Sequence, residues 1–331
     1  MFNKKSSRLN AALLPLTAML AAASPAAAAP ADDNLPVQLV DSLHSAFGEH
    51  HARAVHAKGI VLTGTFTPDP AARTLSKAAV FARPTPVTVR FSDFTGIPTI
   101  PDNIGDASPR GIAIKFGPAD DAVMDIVSHG FNGFPVKTAE EFGDLMRAIG
   151  ASGPAAPKPT VLDKFLGAHP VAVAFLTHQS PPPESYATQP YFGVNAFSFT
   201  NAKGHTTAVR YRFVPAAGDH FLDAGAAKAM GPDYLKAEIA KRIAAGPVRF
   251  DWYAQIAEAG DKRDDPSIAW PETRRLVKLG TIAITKLSTD QAGDDKRLMF
   301  LPGNVPDGIA PADPMIAIRT AAYPVSFSQR Q

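Results

Sequence analysis

Near the C-terminal end, Arg319 and Tyr323 stand four positions apart in Arg319-Thr-Ala-Ala-Tyr323. On a helix this spacing puts both on one face, with the guanidinium in reach of the phenol oxygen. A fixed positive charge beside a phenol favours the phenolate, and a phenolate can ligate ferric iron. An amphipathic terminal turn with one packed aromatic accounts for the same residues, so the pair alone does not choose between the two readings. Pro324 follows at once, and the residue before a proline is disfavoured in the helical region, so the helix is expected to end at about Tyr323. The second candidate is His56, in Arg53-Ala-Val-His56-Ala-Lys-Gly59 just ahead of the β-branched run Ile60 to Phe66. At such a loop-to-strand junction an imidazole projects into a barrel mouth or cleft. A packed or surface histidine is the plain alternative.

Composition narrows the chemistry. The 331 residues contain no cysteine, which excludes disulfides, zinc–thiolate sites, iron–sulfur clusters and thiol catalysis, and leaves His, Tyr, Asp and Glu to hold any metal. A net charge of +2, with dispersed charges and no basic patch interleaved with aromatics, speaks against a nucleic-acid partner. Residues 1–29 read as a signal peptide: Lys4, Lys5 and Arg8, then an apolar stretch from Ala11 to Ala23, then the small residues Ala27-Ala28-Ala29. The mature chain, residues 30–331, is therefore expected in the periplasm or secreted, with no membrane span after signal removal; an uncleaved anchor is the alternative.

The elements that must position these residues follow from periodicity. Leu39, Leu43 and Phe47 recur every four positions and suggest a helix over residues 35–49. A short β-branched run over 60–66, alternating runs over 86–92 and 110–116 and a further run over 123–127 read as strands, with a Gly-, Pro- and Asp-rich loop over 93–109 that is long enough to be functional. Thr138 and Glu141 form a capping-box pattern that opens a helix through Ile149. A short helix follows over 160–166. A hairpin over 191–214, a helix over 233–245 and strands over 248–257 and 275–286 complete the pattern. Seven or eight strands with helices at the start, middle and end indicate an α+β fold with a large antiparallel sheet.

Three separated motifs resemble the haem catalases, and in particular their short relatives, the catalase-related peroxidases. They are Arg53-Ala-Val-His56-Ala-Lys-Gly59; Arg90-Phe91-Ser92 followed by Pro109-Arg110-Gly111-Ile-Ala-Ile-Lys-Phe116; and Phe300-Leu-Pro-Gly-Asn304 through to Arg319 and Tyr323. The resemblance implies an eight-stranded antiparallel barrel with flanking helices and haem b between the barrel and the C-terminal helix. It also implies a chain without the helical region that usually follows in catalases. Position by position, it makes Tyr323 the axial iron ligand, Arg319 its partner, and His56 the distal residue hydrogen-bonded by Ser92. Arg53, Arg90 and Arg330 would face the haem propionates, and Val55 and Phe142 would contact the ring.

One motif departs from the pattern. Where the family carries an asparagine after an Asp-Leu-Val run, Asp125-Ile-Val127 is followed by Ser128 and His129, and Asn132 lies three residues later. Asn132 is taken as the residue assisting His56, with His129 as its competitor. The expected activity is a haem-dependent peroxidase that reduces hydrogen peroxide or organic hydroperoxides with an unidentified organic donor and retains some catalase activity. His56 would shuttle the proton during O–O cleavage. A true catalase, a haem enzyme that rearranges hydroperoxides, and an exported haem-binding module are the alternatives. Self-association as a homo-oligomer is left open.

Overall fold

The computed structural model describes residues 34–331; the signal peptide expected over 1–29 lies outside the described residues. Nine strands form one sheet: β1 (Gly59–Pro68), β2 (Thr85–Ser92), β3 (Gly111–Phe116), β4 (Met124–His129), β5 (Tyr191–Thr200), β6 (Thr206–Pro215), β7 (Val248–Ile256), β8 (Leu276–Leu287) and β9 (Ile309–Pro311). Their order is β4-β3-β2-β1-β8-β7-β6-β5-β9, every recorded pairing is antiparallel, and the pairing of His129 with Phe192 joins β4 to β5. The first eight strands thus close into the expected barrel, and β9 adds a short flap on β5.

The barrel is filled by its own aromatics. Phe66, Phe116, Phe213 and Trp252 are fully buried, and the Trp252 ring lies 5.3–6.0 Å from those of Phe66, Phe116, Tyr211 and Phe213. Burying each such side chain stabilises the fold by roughly 1.5–3 kcal/mol. A packed interior leaves no room for a ligand, so a site must lie on the outer wall. Period-two alternation then sorts the strands. Val89 and Phe91 of β2, Ile112 and Ile114 of β3, and Ile126 of β4 enter the core, so Arg90, Ser92, Gly111, Ala113, Val127 and His129 face outward.

Helices α1 (Leu35–Phe47), α2 (Ala72–Leu75), α3 (Ala139–Gly150), α4 (Val161–Ala168), α5 (Pro170–Thr177), α6 (Ala224–Ala229), α7 (Tyr234–Ala245), α8 (Gln291–Arg297) and α9 (Met315–Gln329) flank the barrel. The capping box at the start of α3 is present: Thr138 Oγ1 accepts from the Glu141 N–H at 3.2 Å, and a Glu141 carboxylate oxygen accepts from the Thr138 N–H at 3.2 Å. Val40 and Leu43 of α1 pack with Leu145 and Met146 of α3, and Ala322 and Val325 of α9 close the same cluster.

The expected end of the last helix at Tyr323 is corrected: α9 runs on to Gln329 with Pro324 inside it. Proline removes the N–H that would bond to the Thr320 carbonyl, a cost of about 3 kcal/mol in a helix interior. Tertiary contacts on both sides of Pro324 offset it. Ala322 and Val325 pack on α1 and α3, Ser326 Oγ accepts from the Ala54 N–H at 3.2 Å, and Arg330 donates to the Leu298 carbonyl at 2.6 Å.

Candidate functional site

Between the outer face of β2–β4 and the helices α1 and α9 lies a cleft with about 810 Å³ of atom-free space, its mouth included. Its walls are largely apolar, with Leu39 and Leu43 on α1, Val55 ahead of β1, Val127 on β4 and Met299 and Phe300 ahead of α9. His56 reaches it from the barrel side and Tyr323 from α9, while Arg53, Arg90 and Arg330 also line it.

His56 is held in an unusual backbone state. Its φ is +58°, in the left-handed region that non-glycine residues seldom occupy. The strain is locked by bonds from the His56 N–H to the Phe94 carbonyl at 2.8 Å and from the Ala57 N–H to the Thr95 carbonyl at 2.9 Å. The ring lies over Gly111, where a Cβ would come within 2.9 Å of Nδ1 and Cε1; only glycine leaves it this seat. Ser92 Oγ is 3.1 Å from Nδ1. Burial, with His129 and Arg90 nearby, lowers the His56 pKa to about 3, so the ring is neutral at ordinary pH.

The expected functional loop, 93–109, is a buried polar brace behind this histidine. Asp93 meets Arg110 Nε at 3.1 Å and accepts from the Tyr186 hydroxyl at 3.1 Å. Burial raises the Asp93 pKa to about 7 against the opposing pull of Arg110. Lys58 links Asp102 at 2.5 Å to Asp233 at 2.9 Å, which ties the loop to the start of α7.

The three arginines converge. Arg53 Nη2 and Arg330 Nη2 both donate to the Leu298 carbonyl, at 2.9 and 2.6 Å. Arg90 donates to the His56 and Ala57 carbonyls at 2.9 and 3.0 Å. Asp295, on α8, lies between Arg53 and Arg90. Burial and the neighbouring Arg90 hold the Arg53 pKa well below its ordinary value, and burial lowers that of Arg330 to about 10. Cations crowded out of water in this way attract carboxylates.

On the other wall, Arg319 Nη2 donates to the Tyr323 oxygen at 3.0 Å, as the four-residue spacing predicts. Sequence reasoning missed what orients Arg319: its Nη1 donates to Asn195 Oδ1 at 2.5 Å, and Asn195 in turn donates to Asp313 at 2.8 Å. Asn195 lies 124 residues from Arg319 in the chain, and no local signal pairs them. Among the described residues no three His, Cys, Asp or Glu side chains converge on a metal position.

The two distal candidates separate. Neither is part of the cleft lining, which on β4 ends at Ser128: Asn132 is half-buried in the loop after β4, and Phe142 likewise sits behind the wall, packed on Phe134 at 5.1 Å. His129 instead stands in one cross-strand row with Ser92 and Gly111, because Ser92 pairs with Gly111 and Gly111 with His129. Adjacent strands are about 4.8 Å apart, so His129 flanks the His56 ring that overlies Gly111. The His129 Nδ1 accepts from the Phe131 N–H at 3.4 Å, which puts the proton on Nε2, and Nε2 is buried without a partner among the described residues. Burial lowers the His129 pKa to about 3, with Arg319 adding to the effect.

The catalase family model matches residues 37–331. A catalase-related peroxidase of Mycolicibacterium paratuberculosis is 36% identical over 301 residues, covering 89% of this chain and 94% of that protein. A catalase-related peroxidase of Synechococcus elongatus is 31% identical, covering 89% and 88%. In fold, the chain is similar to catalase A from Saccharomyces cerevisiae, with a TM-score of 0.73 at 20% identity over 84% of this chain and 61% of that one. Agreement of sequence over nearly the whole described chain, on a barrel of the same architecture, places this protein in the catalase family.

Proposed function

We propose that the chain is a haem-dependent peroxidase that reduces hydrogen peroxide or organic hydroperoxides at the expense of an organic donor, with catalase-like activity beside it. The observation that carries this reading is one apolar cleft lined by a tyrosine bonded to arginine on α9, a neutral histidine on the barrel side and three arginines. Haem b suits that donor set: Tyr323 would hold the iron through its oxygen, Arg53, Arg90 and Arg330 would meet the propionates, and Val55 would pack against the ring. The buried Arg330 Nε, which has no hydrogen-bond acceptor among the described residues, is where such a carboxylate fits.

Bound there, haem would supply the Lewis-acid and redox chemistry of O–O cleavage. The chain's own residues manage the proton. With its hydrogen on Nδ1, His56 presents the Nε2 lone pair to the cleft, takes the peroxide proton and returns it to the departing oxygen, so the bond breaks without charge separation. In that tautomer the Nδ1–H donates to Ser92 Oγ, 3.1 Å away. His129 is the second distal group: its neutral Nε2–H is a donor complementary to the His56 acceptor and can hold the peroxide oxygens. Asn132 lies three residues further on, in the loop after β4, and is the alternative for this role.

Arg319 keeps a positive charge on the tyrosine oxygen and is itself aligned by Asn195 and Asp313. Export to the periplasm or outside the cell accords with the basic, apolar and small-residue pattern of residues 1–29. The test is turnover by protein reconstituted with haem: oxidation of a phenolic donor by peroxide, followed beside oxygen release. Donor oxidation exceeding oxygen release is expected. Oxygen release far faster than oxidation of any donor would make the enzyme a true catalase instead, and haem binding without turnover would make it a haem-binding module.

A further inference from the structure

The arginine cluster already contains one carboxylate of the chain's own. Asp295 Oδ1 lies 2.7 Å from Arg53 Nη1 and 2.6 Å from Arg90 Nε. With Nη1 and Nη2 donating to the His56 and Ala57 carbonyls, Arg90 has all three nitrogens engaged. Asp295 is also the exposed member of the group. Its side chain is 36% exposed, against 12% for Arg53 and 3% for Arg90, and it sits on α8, a helix of seven residues. Burial alone would raise the Asp295 pKa, but Arg90 and Arg53 together pull it below the ordinary carboxylate range, so it is ionised where the protein would work.

Carboxylates that enter this arginine cradle meet the cations together with the like charge of Asp295, which already occupies Arg53 Nη1 and Arg90 Nε. We propose that Asp295 is a built-in counter-ion of this cradle, one that stabilises the arginines in the unloaded chain and competes with the haem propionates for them. The proposal rests on the haem-binding reading above. It has a signature that a simple anchor lacks. An anchor, when removed, weakens both the unloaded protein and its hold on haem. A competitor, when removed, weakens the unloaded protein but strengthens its hold on haem, because one like charge beside the propionates is gone. For a partly exposed charge a few ångström away, the gain is on the order of tenfold.

The experiment compares wild type, Asp295→Asn and Asp295→Glu. Thermal unfolding of the haem-free proteins is measured, and haem dissociation is followed spectroscopically by transfer to excess apomyoglobin. Each protein is loaded once with haemin and once with haemin dimethyl ester, which has no free carboxylates. The expected result for Asp295→Asn is a lower haem-free melting temperature, haemin dissociation about tenfold slower, and ester dissociation unchanged. Asp295→Glu should stay near wild type. Refolding in the presence of haemin gives the dissociation rate even where a haem-free variant is insoluble. Faster loss of haemin from Asp295→Asn, or no change in its dissociation, overturns the competitor role. Wild type that holds the ester as firmly as haemin would instead sink the propionate reading of the arginines, and the proposal with it.

Discussion

Gly111→Ala adds one methyl group at the floor of the His56 seat. The new Cβ would lie 2.9 Å from both Nδ1 and Cε1 of His56 and 2.7 Å from Ser92 Oγ. Ordinary contact for such atoms is about 3.5 Å, so the ring must retreat by roughly 0.6 Å. Retreat is resisted. The His56 backbone is fixed at φ +58° by its bond to the Phe94 carbonyl, and the ring packs edge-on against Phe94 at 5.6 Å. Overpacking of this kind costs about 1–3 kcal/mol of stability. The larger effect is on chemistry, because a displacement approaching 1 Å can cost on the order of 10²-fold in rate. Stopped-flow measurement of the reaction with peroxide, on protein reconstituted with haem, should therefore show a loss of one to two orders of magnitude. The absorption spectrum before mixing should be preserved, since Tyr323 is on the other wall. Adding Ser92→Ala opens space on one side of the methyl and should recover part of the rate. A Gly111→Ala enzyme as fast as wild type would refute the placement of His56 over Gly111.

Other outcomes follow from the same geometry. His56→Ala should slow the peroxide reaction by about 10²–10⁴-fold in the stopped-flow assay while haem is retained. His129→Leu should slow it less, with His129→Asn restoring most of the rate because an amide N–H replaces the imidazole donor; Asn132→Ala should leave it within a few-fold of wild type. Asp125→Ala strands Lys115, whose Nζ sits 2.7 Å from the carboxylate, and removes the acceptor of the Leu301 N–H at 2.9 Å. Breaking such a buried pair costs about 3–5 kcal/mol, so the melting temperature should fall by roughly 10 °C. As for pH, His56 and His129 are neutral when folded down to about pH 3 but bind protons below about 6.5 when unfolded. Their contribution to stability is therefore complete above pH 6.5 and shrinks as pH falls toward 3. Denaturant titration of the haem-free protein should show the His56→Ala variant with a weaker dependence on acid over that interval.

How much of this was legible in the sequence depended on how local its cause is. All eight barrel strands showed as strand-like runs, four of them alternating, because a wall with a packed interior and a different outer environment favours period two. The capping box of α3 and the Arg319–Tyr323 pair were legible for the same reason, each being set within one helical turn. Helix α8 was not. Gln291-Ala-Gly-Asp-Asp-Lys-Arg297 has no apolar stripe and depends on Asp290, which accepts from the Gly293 N–H at 2.9 Å. The end of α9 was misplaced because a proline rule describes local cost, whereas the packing of Ala322 and Val325 is tertiary. Asn195 and Asp295 reach the site from distant parts of the chain, and as single polar residues they leave no periodic trace. The proposal of His129 beside His56 draws on strand register, which pairs His129 with Gly111 and is not visible in the local sequence.

The central claim is that Tyr323 and His56 face a haem from two walls of one cleft, and one comparison of absorption spectra tests it most directly. Wild type and Tyr323→Phe are reconstituted with haemin under identical conditions. Phenylalanine keeps the ring packing and removes the only oxygen that Tyr323 could offer to iron. The account predicts phenolate-to-iron charge-transfer bands in the ferric wild type that are absent from Tyr323→Phe. Identical spectra for the two proteins would contradict it.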